Sequence, residues 1–554
     1  MKKKNFFMLA IAAIAFAACS NDDLVPVENP GDKDELVSGT DGDAWVALTI
    51  KSTSSLTRGL KEPEKQENAT EAEAKINVVR AIFFTAEADE DDATVTADIL
   101  LTNDEAGIGS DGLPTGGAGV PFKVPATSKR ILIVANPTSD FATPSKTKWD
   151  DGTTYKVVNA VVTKTAADVA NTTTGFMMSN AKGSLEPSIM DENDTDFGKP
   201  TDLSLYTTEA AATRNPLSIR IDRVVAKVRV YITTTSESKA AIKNAGWVLS
   251  ATNKTFYPVS IRTLTWNENP NNTGARGTCI TPFDIYKHGS YRIDPNYDTQ
   301  DVAYYNYLKP AVDALIWKKD KEYDYCLENT QTARHNMNAY TTHVLFKAQF
   351  IPTEYGLPGG GTVAGDPNTP TDWMYIDGGY YTYATLMQWI EAELKNKYDD
   401  PTPATFPTLR TTLFNRYLGA EGINVGSITL PATADDAAIA LLVQEFKDKE
   451  TAVLNTPAAN RAKKVGNFTY YVNAVSYYMT MIRHDDTSAI SNELGEFGVV
   501  RNSVYDINVK KFNNPGYPII PDPGTDVPDE TDEGWLAIEI ITNPWTWYTQ
   551  DVEF

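Results

Sequence analysis

From Ala44 onward the chain is written in strand-length runs that alternate or stay apolar, separated by Thr, Asn, Gly and Asp clusters, and this pattern restricts it to sheets. The clearest runs are Ile76–Phe84, Arg130–Ala135 and Leu217–Ile221, the last leading into Val224–Val230. A second β-rich block follows, with Thr342–Phe350 and Val504–Val509 as its most legible strands. Only residues 383–397 and 434–456 depart from this pattern, where Ala438, Leu441, Leu442 and Phe446 fall at helical spacing. The fold class expected is mainly β, in two sandwich domains at 59–240 and 241–512, the second carrying helical insertions. With 554 residues and 42% hydrophobic content, the chain can bury more than one core.

One pattern occurs twice. Ala44-Trp45-Val46-Ala47-Leu48-Thr49-Ile50 near the start returns as Gly534-Trp535-Leu536-Ala537-Ile538-Glu539-Ile540 near the end. Both copies alternate as half-buried strands, so Val46, Leu48 and Ile50 match Leu536, Ile538 and Ile540 and could occupy the same slot. Thr57-Arg58-Gly59 follows the first copy, a basic residue in a Ser/Thr/Gly-rich stretch of the kind proteases nick. Cutting after Arg58 would release residues 43–58, and the last strand of another molecule could take their place. Prolines at 515, 518, 521, 523 and 528 stiffen a spacer over 513–533. Extended from 515 to 533, it would reach roughly 50–60 Å at about 3.1 Å per residue, enough to leave its own subunit. Residues 534–554 form the donor segment; Trp545 and Trp547, beyond the interruption at Pro544, belong to a second part of it.

Met1-Lys2-Lys3-Lys4, the apolar run Phe6–Ala18 and then Cys19 make a secretory signal over 1–18, too short for a membrane span. A cysteine directly after Ala17-Ala18 is a lipoprotein acceptor, which makes Cys19 the lipidation site. Residues 19–42 are acidic and poor in large apolar side chains, a tether. The net charge of -23 argues against nucleic acid as a partner. Cys279 and Cys326 remain as a possible disulfide, which spacing alone cannot establish.

Catalytic chemistry is thin. His288, His335, His343 and His484 are scattered, with no His-Glu-x-x-His pattern and no cysteine pair at zinc spacing. His484-Asp485-Asp486 has no nucleophile motif beside it and reads as a solvated loop. Gly359-Gly360-Gly361 lacks the ending of a phosphate loop. Asp191–Asp196 departs from a calcium loop, with Asp196 at the glycine position and Asp202 at the glutamate position. Tyr380, Tyr381, Tyr383, Tyr470 and Tyr471 have strand chemistry and need no ligand. No catalytic residue, metal or cofactor is assigned, and an enzyme is not expected.

The landmarks taken in order resemble the fimbrilins of Bacteroidetes, those of the Porphyromonas short fimbria above all. They are the lipoprotein start, Arg58, Val134-Ala135-Asn136-Pro137, Arg223–Val228, Tyr291–Tyr297, Tyr325–Thr330, Thr341–Val344, Gly498–Tyr505 and the ending with Asn543-Pro544-Trp545. The resemblance implies transthyretin-like sandwiches and a type V pilus. It further implies a lipidated outer-membrane precursor, cut by an arginine-specific or trypsin-like protease. Identical subunits would then join head-to-tail by donor-strand exchange, with accessory anchor and tip pilins. Under it, Trp535, Leu536, Ile538 and Ile540 are the donor residues. The alternative from another class is a monomeric or tip surface lipoprotein binding host glycans or proteins; a surface glycan hydrolase has only unassigned carboxylates in its favour.

Overall fold

A computed structural model describes residues 35–52, 67–138, 141, 148–188, 201–234, 240–262, 292–299, 301–308, 315–332, 337–376, 378–398, several between 437 and 448, 468–484, 495–522 and 536–546. Cys19, Arg58, Gly59, Cys279, Trp535, Trp547, His288, His335 and Asp191–Asp196 lie outside these residues.

The fold is mostly strand, as the alternation requires. Its first sheet has six strands: β2 (Leu48–Ser52), β4 (Val79–Phe84), β5 (Val95–Leu101), β7 (Arg130–Ala135), β8 (Met178–Asn180) and β9 (Leu217–Arg223), in spatial order β2-β9-β8-β7-β4-β5. A separate antiparallel pair joins β1 (Asp43–Val46) to β6 (Phe122–Pro125). β4 and β7 are apolar apart from Arg80 and Arg130 and buried on both faces, so Ile82, Phe83, Phe84, Leu132 and Ile133 fill one large core.

The second sheet has five strands: β3 (Glu67–Asn68), β10 (Val225–Ile232), β12 (Tyr323–Leu327), β18 (Ser503–Phe512) and β19 (Leu536–Thr546), in order β12-β10-β18-β19-β3. It shares a second core with the three-stranded sheet of β11 (Ala240–Ser250), β13 (His343–Pro352) and β17 (Val475–Met481). A further three-stranded sheet joins β14 (Trp373–Ile376), β15 (Gly379–Tyr381) and β16 (Phe468–Tyr471). There Trp373 stacks on Tyr471 with ring centroids 4.1 Å apart, so these aromatics are partners of one another.

The passage between cores comes earlier than 240. β9 belongs to the first sheet and β10 to the second, so the chain crosses at Val224. Continuous burial from Ile219 through Val228 hides the crossing, since both strands are covered on both faces where they meet. Residues 383–397 are helical as expected, within Tyr383–Tyr398. Of 434–456, the described residues between 437 and 448 are helical, and Leu441 is exposed rather than packed.

Candidate functional site: a strand seat and a strand-like tail

The first heptad is not the half-buried strand its alternation suggested. Ala44, Val46, Leu48 and Ile50 are sealed in the first core, but Ala47 and Thr49, on the opposite parity, are buried as well. The copy also divides between two sheets. Up to Val46 it pairs antiparallel with β6, Ala44 facing Val124 and Val46 facing Phe122. From Leu48 it pairs parallel with β9, Leu48 beside Leu217 and Ile50 beside Ile219. Ala47 is the hinge between them, packed with Tyr206, Ala211 and Ala212. The Leu217 amide donates to its carbonyl at 2.8 Å. Trp45 and Tyr206 exchange backbone hydrogen bonds of 2.8 and 2.9 Å, and the Gly119 amide caps the Leu48 carbonyl at 2.8 Å.

β2 is the edge strand of its sheet, held on one side by β9. Removing β1 and β2 would therefore bare the backbone of β6 and β9 together with an apolar trough. The three large side chains that fill it contribute roughly 1.5–3 kcal/mol each by burial.

The second copy lies elsewhere. β19 runs antiparallel to β18 in its own chain, Leu536 facing Phe512 and Ile540 facing Ile507. Leu536, Ile538 and Ile540 are partly buried against the second core. At its far end, the backbone of Trp545 and Thr546 pairs parallel with Glu67 and Asn68 of β3. In this structure of a single chain the tail sits on its own sheet.

The expected spacer over 513–533 also needs correction in its first part. Tyr517 and Tyr477 exchange backbone hydrogen bonds of 2.8 and 2.7 Å, the Tyr471 hydroxyl donates to the Gly516 carbonyl at 2.7 Å, and Ile520 is buried. Gly516 is required there, since a Cβ would stand 2.1 Å from the Tyr477 carbonyl. Proline-rich composition does not exclude packing, and only residues beyond 522 remain for a reach between molecules.

Between the two cores lies a buried polar joint that sequence reasoning did not assign. Helix α1 (Glu71–Ala74) starts in a capping box, in which the Thr70 amide donates to Glu73 Oε2 at 2.7 Å. Glu73 Oε1 accepts from Lys227 Nζ and from the Tyr325 hydroxyl, both at 2.7 Å. Burial alone would raise the Glu73 pKa, but these donors outweigh it and hold the carboxyl below its ordinary value. Arg223 donates to the Glu73 carbonyl at 3.0 Å and to Asn502 Oδ1 at 3.1 Å. Asn502 donates in turn to Asp222 at 3.0 Å, and Arg292 closes on Asp222 at 2.8 Å. Arg501 holds Glu328 with two contacts of 3.2 Å. Arg223–Val228, Tyr291–Tyr297, Tyr325–Thr330 and Gly498–Tyr505 all contribute to this joint. Their signal was arginine and acid residues embedded in apolar runs, which at those positions must be buried and paired.

Val134-Ala135-Asn136-Pro137 has a similar cause. Asn136 sits at φ 49, and its side chain accepts from the Asn77 amide at 2.8 Å and donates to the Lys75 and Phe176 carbonyls at 2.9 Å. His484 is buried, within 2.8 Å of the Tyr505 hydroxyl, so the solvated-loop reading is corrected. His343 is buried too, and burial pulls its pKa down to about 4. Cys326 is a buried free thiol in β12 whose pKa burial drives upward. Among the described residues, no three His, Cys, Asp or Glu side chains are grouped to hold a metal ion.

A β protein that keeps matching strands at its two ends has the parts of a fibre subunit, and family comparison points the same way. Residues 46–195 match the family model described as Major fimbrial subunit protein (FimA), and residues 469–551 match Major fimbrial subunit protein type IV, Fimbrillin, C-terminal. The chain is thus similar to fimbrial subunit proteins in two separate stretches, one near each end of its fold. Among solved structures it is similar to a fimbrilin from Porphyromonas gingivalis W83, at 12% identity and TM-score 0.40, covering 92% of this chain and 100% of that one. It is also similar to the tip fimbrial protein Mfa3 from Porphyromonas gingivalis, at 11% identity and TM-score 0.31, covering 91% and 99%. No curated protein matches.

Proposed function

We propose that the chain is a structural stalk subunit of a type V pilus, not an enzyme, and that it polymerises by donor-strand exchange. In this reading the precursor is lipidated at Cys19, and an arginine-specific or trypsin-like protease cuts after Arg58. Strand 44–52 departs, and residues 534–554 of a neighbour fill its seat. Because donor and seat are different surfaces of one molecule, the contact is head-to-tail and extends into a fibre rather than closing. Anchor and tip pilins would terminate it, and adhesion and biofilm formation would follow from the fibre.

The observation that carries this is the heptad pair: one copy fills a trough at a sheet edge, and its match is only partly buried in another sheet, next to that sheet's short outermost strand. Moving Leu536, Ile538 and Ile540 from partial burial into a trough that covers Val46, Leu48 and Ile50 to 2% exposure or less removes more apolar surface from water. Most ladder hydrogen bonds are exchanged rather than lost, since β19 gives up β18 and the short β3 and gains β9 and β6. The docking of the tail on its own chain favours the second reading, a monomeric surface lipoprotein adhesin.

Trypsin treatment of the secreted full-length chain separates the two. A trimmed N-terminus at Gly59 with filaments and high-mass ladders is expected; Arg58→Ala should stay full length and unpolymerised, and deletion of 534–554 should give cut monomers. Filaments from either variant would refute the exchange.

A further inference from the structure

Resting on strand exchange, the structure also fixes what the incoming strand must match. We propose that the donor enters parallel to β9 in the register of the strand it replaces, selected by a small residue at Ala537 and an acid at Glu539.

Two features of the seat carry this. The first is the hinge. Ala47, 1% exposed, lies against Tyr206, Ala211 and Ala212, where the chain passes from pairing with β6 to pairing with β9. A larger side chain there meets the ring of Tyr206 and helix α2 (Glu209–Arg214). The heptads align Ala537 with Ala47. In its own chain Ala537 also stands at an irregularity: β18 slips register between Val509, facing Ile538, and Lys511, facing Ala537. Both copies break regular pairing at the same heptad position, and both have alanine there.

The second feature is charge. In β2, Thr49 stands beside Ser218 and Lys51 beside Arg220. The latter is a like-charge pair on neighbouring strands, an unfavourable arrangement. In the donor the aligned residues are Glu539 for Thr49 and Ile541 for Lys51. Exchange in this register removes the cation beside Arg220 and sets a carboxylate at the position diagonal to it, on the same face of the sheet. Apolar matching alone does not decisively separate this register from one shifted by two residues, which keeps two aliphatic side chains toward the trough and sets Gly534 or Thr542 in the third slot. The alanine and the acid do.

Cysteine cross-linking in filaments grown from the trypsin-cut full chain tests the register. Ser218 is exposed and tolerates replacement. Adjacent strands lie about 4.8 Å apart, within the Cα separation of a disulfide, roughly 4.4–6.8 Å. Ser218→Cys with Glu539→Cys is expected to give detergent-resistant, reductant-sensitive multimers on mild oxidation. Ser218→Cys with Ile541→Cys, two residues out of register, is expected to give none. Multimers from the second pair only, or from neither in chains that still form filaments, overturn the register while leaving exchange intact. If the unsubstituted cut chain forms no filaments, exchange and register fall together.

A readout without cysteines uses the alanine. Ala537→Leu should slow filament growth by about fivefold to a hundredfold, the consequence of roughly 1–3 kcal/mol of overpacking at the hinge. Growth of Ala537→Leu at the unsubstituted rate overturns the register.

Discussion

Glu73 shows how a single side chain ties the two cores together. Its carboxylate reaches Lys227 and Tyr325 of the second sheet while it caps a one-turn helix of the first domain. Lys227 and Glu73 side chains are 6% and 1% exposed, so neither charge has water to fall back on. Removing one member of such a pair typically costs about 3–5 kcal/mol, because the other is left buried and uncompensated. Glu73→Gln is expected to lower unfolding stability by that order in a denaturant titration. Adding Lys227→Met should recover part of the loss, as coupled sites are not additive. Two single losses that simply sum would contradict the coupling. None of this was legible from sequence, because the partners of Glu73 lie more than 150 residues downstream. What sequence did offer was the anomaly itself: Arg223, Lys227 and Arg501 stand inside runs apolar enough to be core.

At the scale of elements, alternation located the strands but not how their faces are covered. The first heptad looked one-sided and is covered on both sides, because it changes sheets at Ala47, and a change of partner leaves no mark in a period of two. Likewise, the paired positions of β9 and β10 read as one block, although successive strands enter different cores. The proline-rich stretch was legible as extended chain, but its packing on β17 depends on a close approach at Gly516 that composition does not announce. In β19, Ile538 faces the second core in the present arrangement and would face the trough in a filament. Ile538→Asp should therefore abolish filament growth and also loosen the tail on its own chain, since an unpaired buried carboxylate is expensive. Hydrogen exchange of residues 536–546 measures the second effect, and electron microscopy the first. Unchanged filaments would place Ile538 at the surface.

For the whole molecule, pH dependence follows from buried acids. Burial, aided by neighbouring Asp91 and Glu186, raises Glu90 to about 7 against the opposing Leu185 amide and Arg130. Burial likewise lifts Asp294 to about 7 and raises Glu186. Between roughly pH 4 and 7 the folded chain holds protons that the unfolded chain has released, so stability falls as pH rises through that window. Glu73 acts in the opposite sense: its contribution is present above the ordinary carboxylate pKa and is lost as pH falls from there through its lowered pKa. The thermal midpoint should be higher near pH 5.5 than near pH 7.5, and Glu90→Gln should flatten that slope; an unchanged slope would contradict the assignment to Glu90. One more property belongs to this scale. Among the described residues, β3 is the outermost strand of its sheet, with β19 as its ladder neighbour. In the proposed exchange, a departing tail would therefore strip away the support of the segment that follows the cut at Arg58. Letting go of the far end and slackening the near end become one mechanical event, so a subunit that has donated its last strand is also the one whose new beginning is free to move.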